Sequence, residues 1–214
     1  MSHKKYIVEI NNCYEKTEDG LFVLKPSEIN DLIDRMIEKK PEIDSSIRFL
    51  KLHDETVVVV DYGNVIDLEK LSINSQRALV SKFVKAVFHT FKICTPDSVC
   101  VSTSNSSLRK LIHAIEKEYF SILIFSDSLV QTAKYKNSKT DTKGRNMEYR
   151  YYDAFLSLDG KSIFSMQLNV RIDHMGATLY DINKIKNQVG LSSSASWGLS
   201  DFDIIIAYNK TAFN

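Results

Sequence analysis

The sequence predicts an α+β protein, with helices followed by an antiparallel sheet and a small N-terminal α+β extension. Three observations carry this. Apolar residues recur at helical spacing over two long stretches: Ile29, Leu32, Ile33, Met36 and Ile37, then Val80, Phe83, Val84, Val87, Phe88 and Phe91. Two alternating runs in "EYRYYDAFLSLDGKSIFSMQLNVRI" flank Asp159-Gly160, the pair preferred in a type I′ hairpin turn. The helical stretches come before these strands rather than alternating with them.

In chain order, "KKYIVEI" reads as a short strand and "CYEKTEDGLFVL" as a second one after a Glu-Asp-Gly turn. "PSEINDLIDRMIEKK" is a helix, with Ser27 as its N-cap and Pro41 past its end. "SIRFLKL" and "TVVVVDY" make a hairpin closed at His53-Asp54-Glu55, and residues 61–75 form a loop. "SQRALVSKFVKAVFHTF" is the second long helix and "SVCVST" a short strand. A third helix, "SNSSLRKLIHAIEKEY", leads into "YFSILIFSDSLVQTA", which is helical with a break near Ser126-Asp127. "KNSKTDTKGRN" gathers turn formers and cations and reads as a mobile basic loop. After the hairpin over 149–171, "LYDINKIKN" is a short helix or strand, "GLSSSASWGLS" a small-residue loop and "DIIIAY" a closing strand. A break near 61–75 divides the chain into an N-terminal segment, 1–62, that docks on or extends the sheet, and a main domain, 63–214.

A 43% hydrophobic share lets the chain bury a proper core, and a net charge of +1 gives no whole-protein field toward nucleic acid. An anion site must therefore come from local clustering. Three cysteines, an odd count without a C-x-x-C pair, point to reduced thiols in a cytosol rather than a disulfide framework or a zinc site. No apolar run is long enough to span a membrane. No P-loop, G-x-G-x-x-G, G-x-S-x-G or H-E-x-x-H motif is present, and neither a metal nor a cofactor is expected.

If Asp159-Gly160 is a two-residue turn, Leu158 faces Lys161 and alternation sorts the hairpin into two faces. Tyr149, Tyr151, Phe155, Phe164, Met166, Leu168 and Val170 form the core face. Glu148, Arg150 and Tyr152 then share the other face with Gln167, Asn169 and Arg171. That face is either the solvated side of an antiparallel sheet or a site, because paired guanidiniums suit phosphate and a carboxylate beside them suits general-base work. In the third helix, Leu108, Leu111, Ile112, Ile115 and Tyr119 make an apolar stripe. Lys110, His113 and Lys117 lie roughly opposite, as a solvated face or an anion-binding one. The sharper expectation falls on the helix's N-terminal end: Lys110 and His113, with Arg109, Ser106 and Ser107 beside free backbone N–H groups. Lys136, Lys139, Lys143 and Arg145 of the basic loop are further candidate anion contacts. Trp197, which follows the serine-rich stretch Ser192–Ser196, is either an anchor or a ring that stacks on a base.

The order of elements from about Val57 onward carries a resemblance. A long helix and a strand lead to "SSLRKLIHAIEKEYFSILIFSDSLVQTAKY", a basic loop, "YRYYDAFLSLDGKSIFSMQLNVRI" and "LYDINKIKN". This resembles the phage-associated nuclease-like domains of the barnase–EndoU–colicin E5–RelE group. The resemblance implies a helical part packed on a twisted antiparallel sheet, and metal-independent cleavage of RNA by 2′-hydroxyl attack. It implies catalytic positions at Lys110 and His113 on the helix and at Arg150, Tyr152, Arg171 and Glu148 on the sheet. It also implies RNA as partner and the cytoplasm of a bacterial host as location. The competing reading is a non-catalytic phage-type protein that inhibits a host nucleic-acid enzyme or defence complex through its basic loop.

Overall fold

The computed structural model describes residues 15–52, 54–60, 68–141, 146–158 and 162–188. The first pair of strands, β1 (Glu15–Lys16) and β2 (Phe22–Val23), closes through Gly20 at φ +78°, a backbone angle that suits glycine. Helix α1 (Pro26–Ser46) starts two residues earlier than a Ser27 cap would set it, so Ser27 lies inside the first turn. Lys25 is the N-cap, its N–H donates to Glu28 Oε2 at 2.8 Å, and Pro26 takes the first helical position, where a missing N–H costs nothing. Pro41, expected past the end, lies inside the helix. Lys40 bonds Asp44 one turn on at 2.6 Å, and Ile43 and Ile47 pack on the core, so the last turns survive the lost hydrogen bond.

Strands β3 (Arg48–Leu52) and β4 (Glu55–Val60) form the expected antiparallel pair. Helix α2 (Ile73–Thr90) is capped by Ser72, and its apolar stripe is buried from Leu79 to Phe88. Strands β5 (Ile93–Cys94) and β6 (Cys100–Ser102) follow, then α3 (Asn105–Ala114), α4 (Phe120–Ile124) and α5 (Ser126–Thr132), the last two separated at Phe125. Helix α3 is shorter than its apolar stripe, so Lys117 falls in a separate 3-10 turn. Among the described residues, no helix is long and apolar enough to cross a membrane.

The segment read as a mobile basic loop is in large part a strand, β7 (Lys134–Thr140), and residues 142–145 lie outside the described ones. It runs antiparallel to β8 (Glu148–Leu158), whose ladder takes up backbone groups that a loop would leave to solvent. Strand β9 (Ser162–Asp173) continues to β10 (Gly176–Gln188) through His174 and Met175, a tight turn in which Gly176 has φ +119°. These elements make a mixed sheet in the order β3-β4-β8-β9-β10-β6-β5, with β7 also on β8. It departs from the purely antiparallel expectation at two joints, β4 on β8 and β10 on β6, which run parallel. Strand β8 shares one edge between β7, which pairs with Glu148 to Asp153, and β4, which pairs with Phe155 to Leu158. Among the described residues, the five α-helices and one sheet face enclose an apolar cluster that includes Val58, Leu156, Leu168 and Leu179.

The hairpin register differs from the two-residue expectation. Leu158 pairs with Ser162, leaving three residues between them, and the turn itself lies outside the described residues. One residue of offset exchanges the faces of one strand relative to the other. Tyr152, Ala154, Leu156, Met166, Leu168 and Val170 are the buried core face. Tyr149, Tyr151 and Asp153 stand opposite Arg171, Asn169 and Gln167 on the outer face.

The cysteine expectation is corrected as well. Cys94 and Cys100 stand opposite each other across β5 and β6, with Cα atoms 3.9 Å apart, and are joined by a disulfide. The spacing looks unpaired in sequence because only the intervening turn brings the two together. The pair also removes the thiol argument for a reducing compartment. Denatured without reductant, the chain should offer one thiol of its three cysteines to a maleimide reagent, and three after reduction. Cys100→Ser should lower stability by about 2 kcal/mol, the loop-closure value for so short a loop, read from the urea midpoint.

Candidate functional site

The register decides which expected residues meet. Glu148, Arg150 and Tyr152 share the core-side face, at its open end, and are gathered by a residue that the sequence reading missed, Asp97. Arg150 Nε donates to Glu148 Oε1 at 2.9 Å and its Nη1 to Asp97 Oδ2 at 3.3 Å. The buried Tyr152 hydroxyl donates to the same Asp97 oxygen at 3.2 Å. Its hydrogen bond to Glu148 holds Arg150 more firmly protonated than usual. Burial pushes the Tyr152 hydroxyl up, and the charge of Asp97 adds to this. A phenol that resists ionisation beside a guanidinium paired with two carboxylates makes a poor proton shuttle and a good structural tie. Asp97 sits in the turn Thr95–Val99 that the disulfide closes, and Thr95 Oγ1 donates to it at 2.5 Å. Nothing in the local sequence pattern ties Asp97 to β8, fifty-odd residues on.

Arg171 faces the other way. Lys139, Tyr149, Arg171, Thr178 and Ser102 stand opposite one another in a single cross-strand row over β7, β8, β9, β10 and β6. At about 4.8 Å per strand the row spans roughly 19 Å. Tyr180, in an irregular stretch of β10 between Leu179 and Asp181, joins it. Its ring meets Tyr149 edge-on at 5.7 Å and lies 5.7 Å from the Arg171 guanidinium. From helix α3, Lys110 Nζ sits over the same ring at 3.8 Å. So Lys110 and Arg171, expected to converge, do so on an aromatic ring. Tyr180 could not be placed from period because the bulge breaks the alternation, and Tyr149 was assigned to the core by the shifted register.

The rest of α3 extends this surface. Its apolar stripe, Leu108, Leu111 and Ile112, is buried, so Arg109, Lys110 and His113 are left exposed. With Asn105 and Ser106 they line an open groove of about 490 Å³. Ser107 does not: it is buried, its N–H donates to Ser104 Oγ and its own Oγ accepts from the Ser104 N–H, a reciprocal cap. Of the β7 lysines, Lys136 is neutralised by Asp153 at 2.8 Å, while Lys139 stands exposed in the row. Lys143, Arg145 and Trp197 lie outside the described residues.

No family model, no curated protein and no solved structure matches this chain. Its chemistry therefore has to be read from the geometry. Among the described residues, no group of three or more His, Cys, Asp and Glu is placed to hold a metal ion. On the outer face Lys139, Arg171 and Lys110 stand beside the Tyr149 and Tyr180 rings, with Asp153 and Asp173 paired to Lys136 and Arg171; cations beside rings suit an anionic chain carrying flat groups.

Proposed function

We propose that this protein binds single-stranded RNA across the outer face of its sheet. The observation that carries the reading is the convergence of Lys110 and Arg171 on the Tyr180 ring, within a row that also holds Lys139 and Tyr149. Single strands are held by cations that follow the backbone and by rings on which bases stack. A net charge of +1 supplies no attraction from a distance, so the affinity rests on this local cluster. The resemblance to RNA-cleaving domains points to the same ligand.

Cleavage is the second reading, favoured by His113, which shares the groove with Lys110 and Arg109. The 2′-hydroxyl would attack the adjacent phosphorus and the 5′-oxygen would leave. His113 would take the proton of the 2′-hydroxyl, water would give one to the leaving 5′-oxygen, and Lys110 and Arg171 would steady the charge on the phosphate. The test uses labelled single-stranded RNA in EDTA, at low salt, with the wild type and His113→Ala. Binding by anisotropy together with cleavage that drops on the order of a hundredfold in the variant supports both readings. Binding without cleavage removes the second and keeps the first, and a protein that binds no RNA ends the proposal.

A further inference from the structure

Next to the cation row, the outer face holds polar atoms that no described residue satisfies. Asn169 and Asp181 stand directly opposite each other on β9 and β10. Asn183 follows Asp181 on the same side and donates Nδ2 to its Oδ2 at 3.3 Å. Arg171 lies two residues from Asn169 on β9, the distance at which side chains share a face. Four atoms of this set are closed to solvent and have no hydrogen-bond partner among the described residues: Asn169 Oδ1, Asp181 Oδ1, Asn183 Oδ1 and Arg171 Nε. Asn169 as a whole is 8% exposed. Arg171 Nε comes within 3.2 Å of Asp173 Oδ2, but its N–H does not point along that line, so the contact is an ion pair without a hydrogen bond.

Buried polar atoms in native proteins nearly always have partners, and leaving one unmade is costly. Orphans gathered on neighbouring positions of one sheet face therefore ask for a common partner. The set offers three acceptors and one donor. A metal cation fits it poorly, because only one of the oxygens belongs to a carboxylate and a guanidinium stands alongside. Among the nucleobases, the Watson–Crick edge of guanine is the complement: O6 accepts, while N1–H and the 2-amino group present three N–H bonds. Adenine and cytosine bring only the two N–H bonds of an amino group, and uracil brings one.

We infer that Asn169, Asp181, Asn183 and Arg171 read a guanine base. The inference rests on the proposed binding of single-stranded RNA and adds a base preference to it. Asp181 and the two amide oxygens take the N–H bonds, and Arg171 turns its free N–H to O6. Because these atoms are shut off from water, the face must open to admit the base. Tyr151, opposite Asn169, and Tyr180, next to Asp181, are the partly exposed rings placed to stack on it.

The test compares three labelled strands of equal length by fluorescence anisotropy. One is uridine only, one carries guanosine at alternate positions, and one carries inosine in place of guanosine. Inosine keeps O6 and N1–H and lacks the 2-amino group. The guanosine strand should bind about tenfold tighter than the uridine strand, and inosine should forfeit most of that gain. Asp181→Asn should lower affinity for the guanosine strand about tenfold and remove its advantage over inosine, with thermal melting as the check on folding. If the variant does not fold, the inosine comparison in the wild type decides alone. Equal affinity for all three strands overturns the base reading and leaves RNA binding in place. Failure to bind any strand overturns both.

Discussion

Asp127→Ala should destabilise the protein by about 3 kcal/mol, the largest loss expected from a single polar residue here. Lys40 is buried, at 4% exposure, at the centre of an ion triad. Its ammonium lies 2.5 Å from Asp127 at the start of α5 and 2.6 Å from Asp44 on α1, and over the Phe91 ring. Burial by itself would pull the Lys40 pKa down. The charges of Asp127 and then Asp44 more than reverse this, and it ends above its ordinary value of 10.5. Asp44 fares differently: burial lifts it above its ordinary value although Lys40 works against this, and its carboxylate is 45% exposed. The Asp127 contact is thus the one that compensates the buried ammonium. Removing it leaves a desolvated charge with a half-solvated partner, while Asp44→Ala should cost under about 1 kcal/mol. Replacing Lys40 and Asp127 together by Met and Leu should be far milder than Asp127→Ala, since the one charge that loses its partner, Asp44, is half-exposed. Urea midpoints at constant slope would read all three.

The same triad sets a pH dependence. A lysine whose pKa is higher folded than unfolded adds stability that is complete below the ordinary value, 10.5, and is lost as pH rises through the folded value. The wild type should therefore lose stability at strongly alkaline pH more steeply than the Met/Leu double variant. Parallel losses in the two proteins would show that Lys40 is not the titrating group.

What could be read from the chain, and what could not, divides along local and long-range physics. Helix α2 and the apolar stripes of α1 and α3 follow from residue spacing alone, and the structure buries them as expected. The break between α4 and α5 at Phe125 lies one residue from the expected place. Nothing local marks Lys40 as buried, because the turn that contains Asp44 lies beyond Pro41 and Asp127 is eighty-odd residues away. Strand β7, all of it exposed, carries no alternation of apolar and polar residues, and only its ladder with β8 makes it a strand. The hairpin register was the costliest uncertainty. Period two assigns residues to faces within a strand but leaves the match between strands to the turn, and one residue there moved Arg171 away from Arg150 and Tyr152.

That register makes the two arginines separable by experiment. Arg171→Ala should weaken binding of single-stranded RNA about tenfold. Because the terminal Nη groups remain for a phosphate when Nε–H is turned to a base, it should also reduce the slope of log affinity against log salt by about 0.7, the value for one phosphate contact on a single strand. It also takes one of the two cations from the Tyr180 ring, so its effect should not add simply to that of Lys110→Ala. Arg150→Ala should act on stability instead. It leaves Glu148 and Asp97 without their shared partner, but the Arg150 side chain is 30% exposed, so the loss should be about 1 kcal/mol, with RNA affinity and its salt slope kept. Had Leu158 faced Lys161, both guanidiniums would project from one face and both substitutions would weaken binding together. Equal loss of RNA affinity in the two variants would therefore contradict the pairing of Tyr149 with Arg171, and with it the row on which the proposed interface is built.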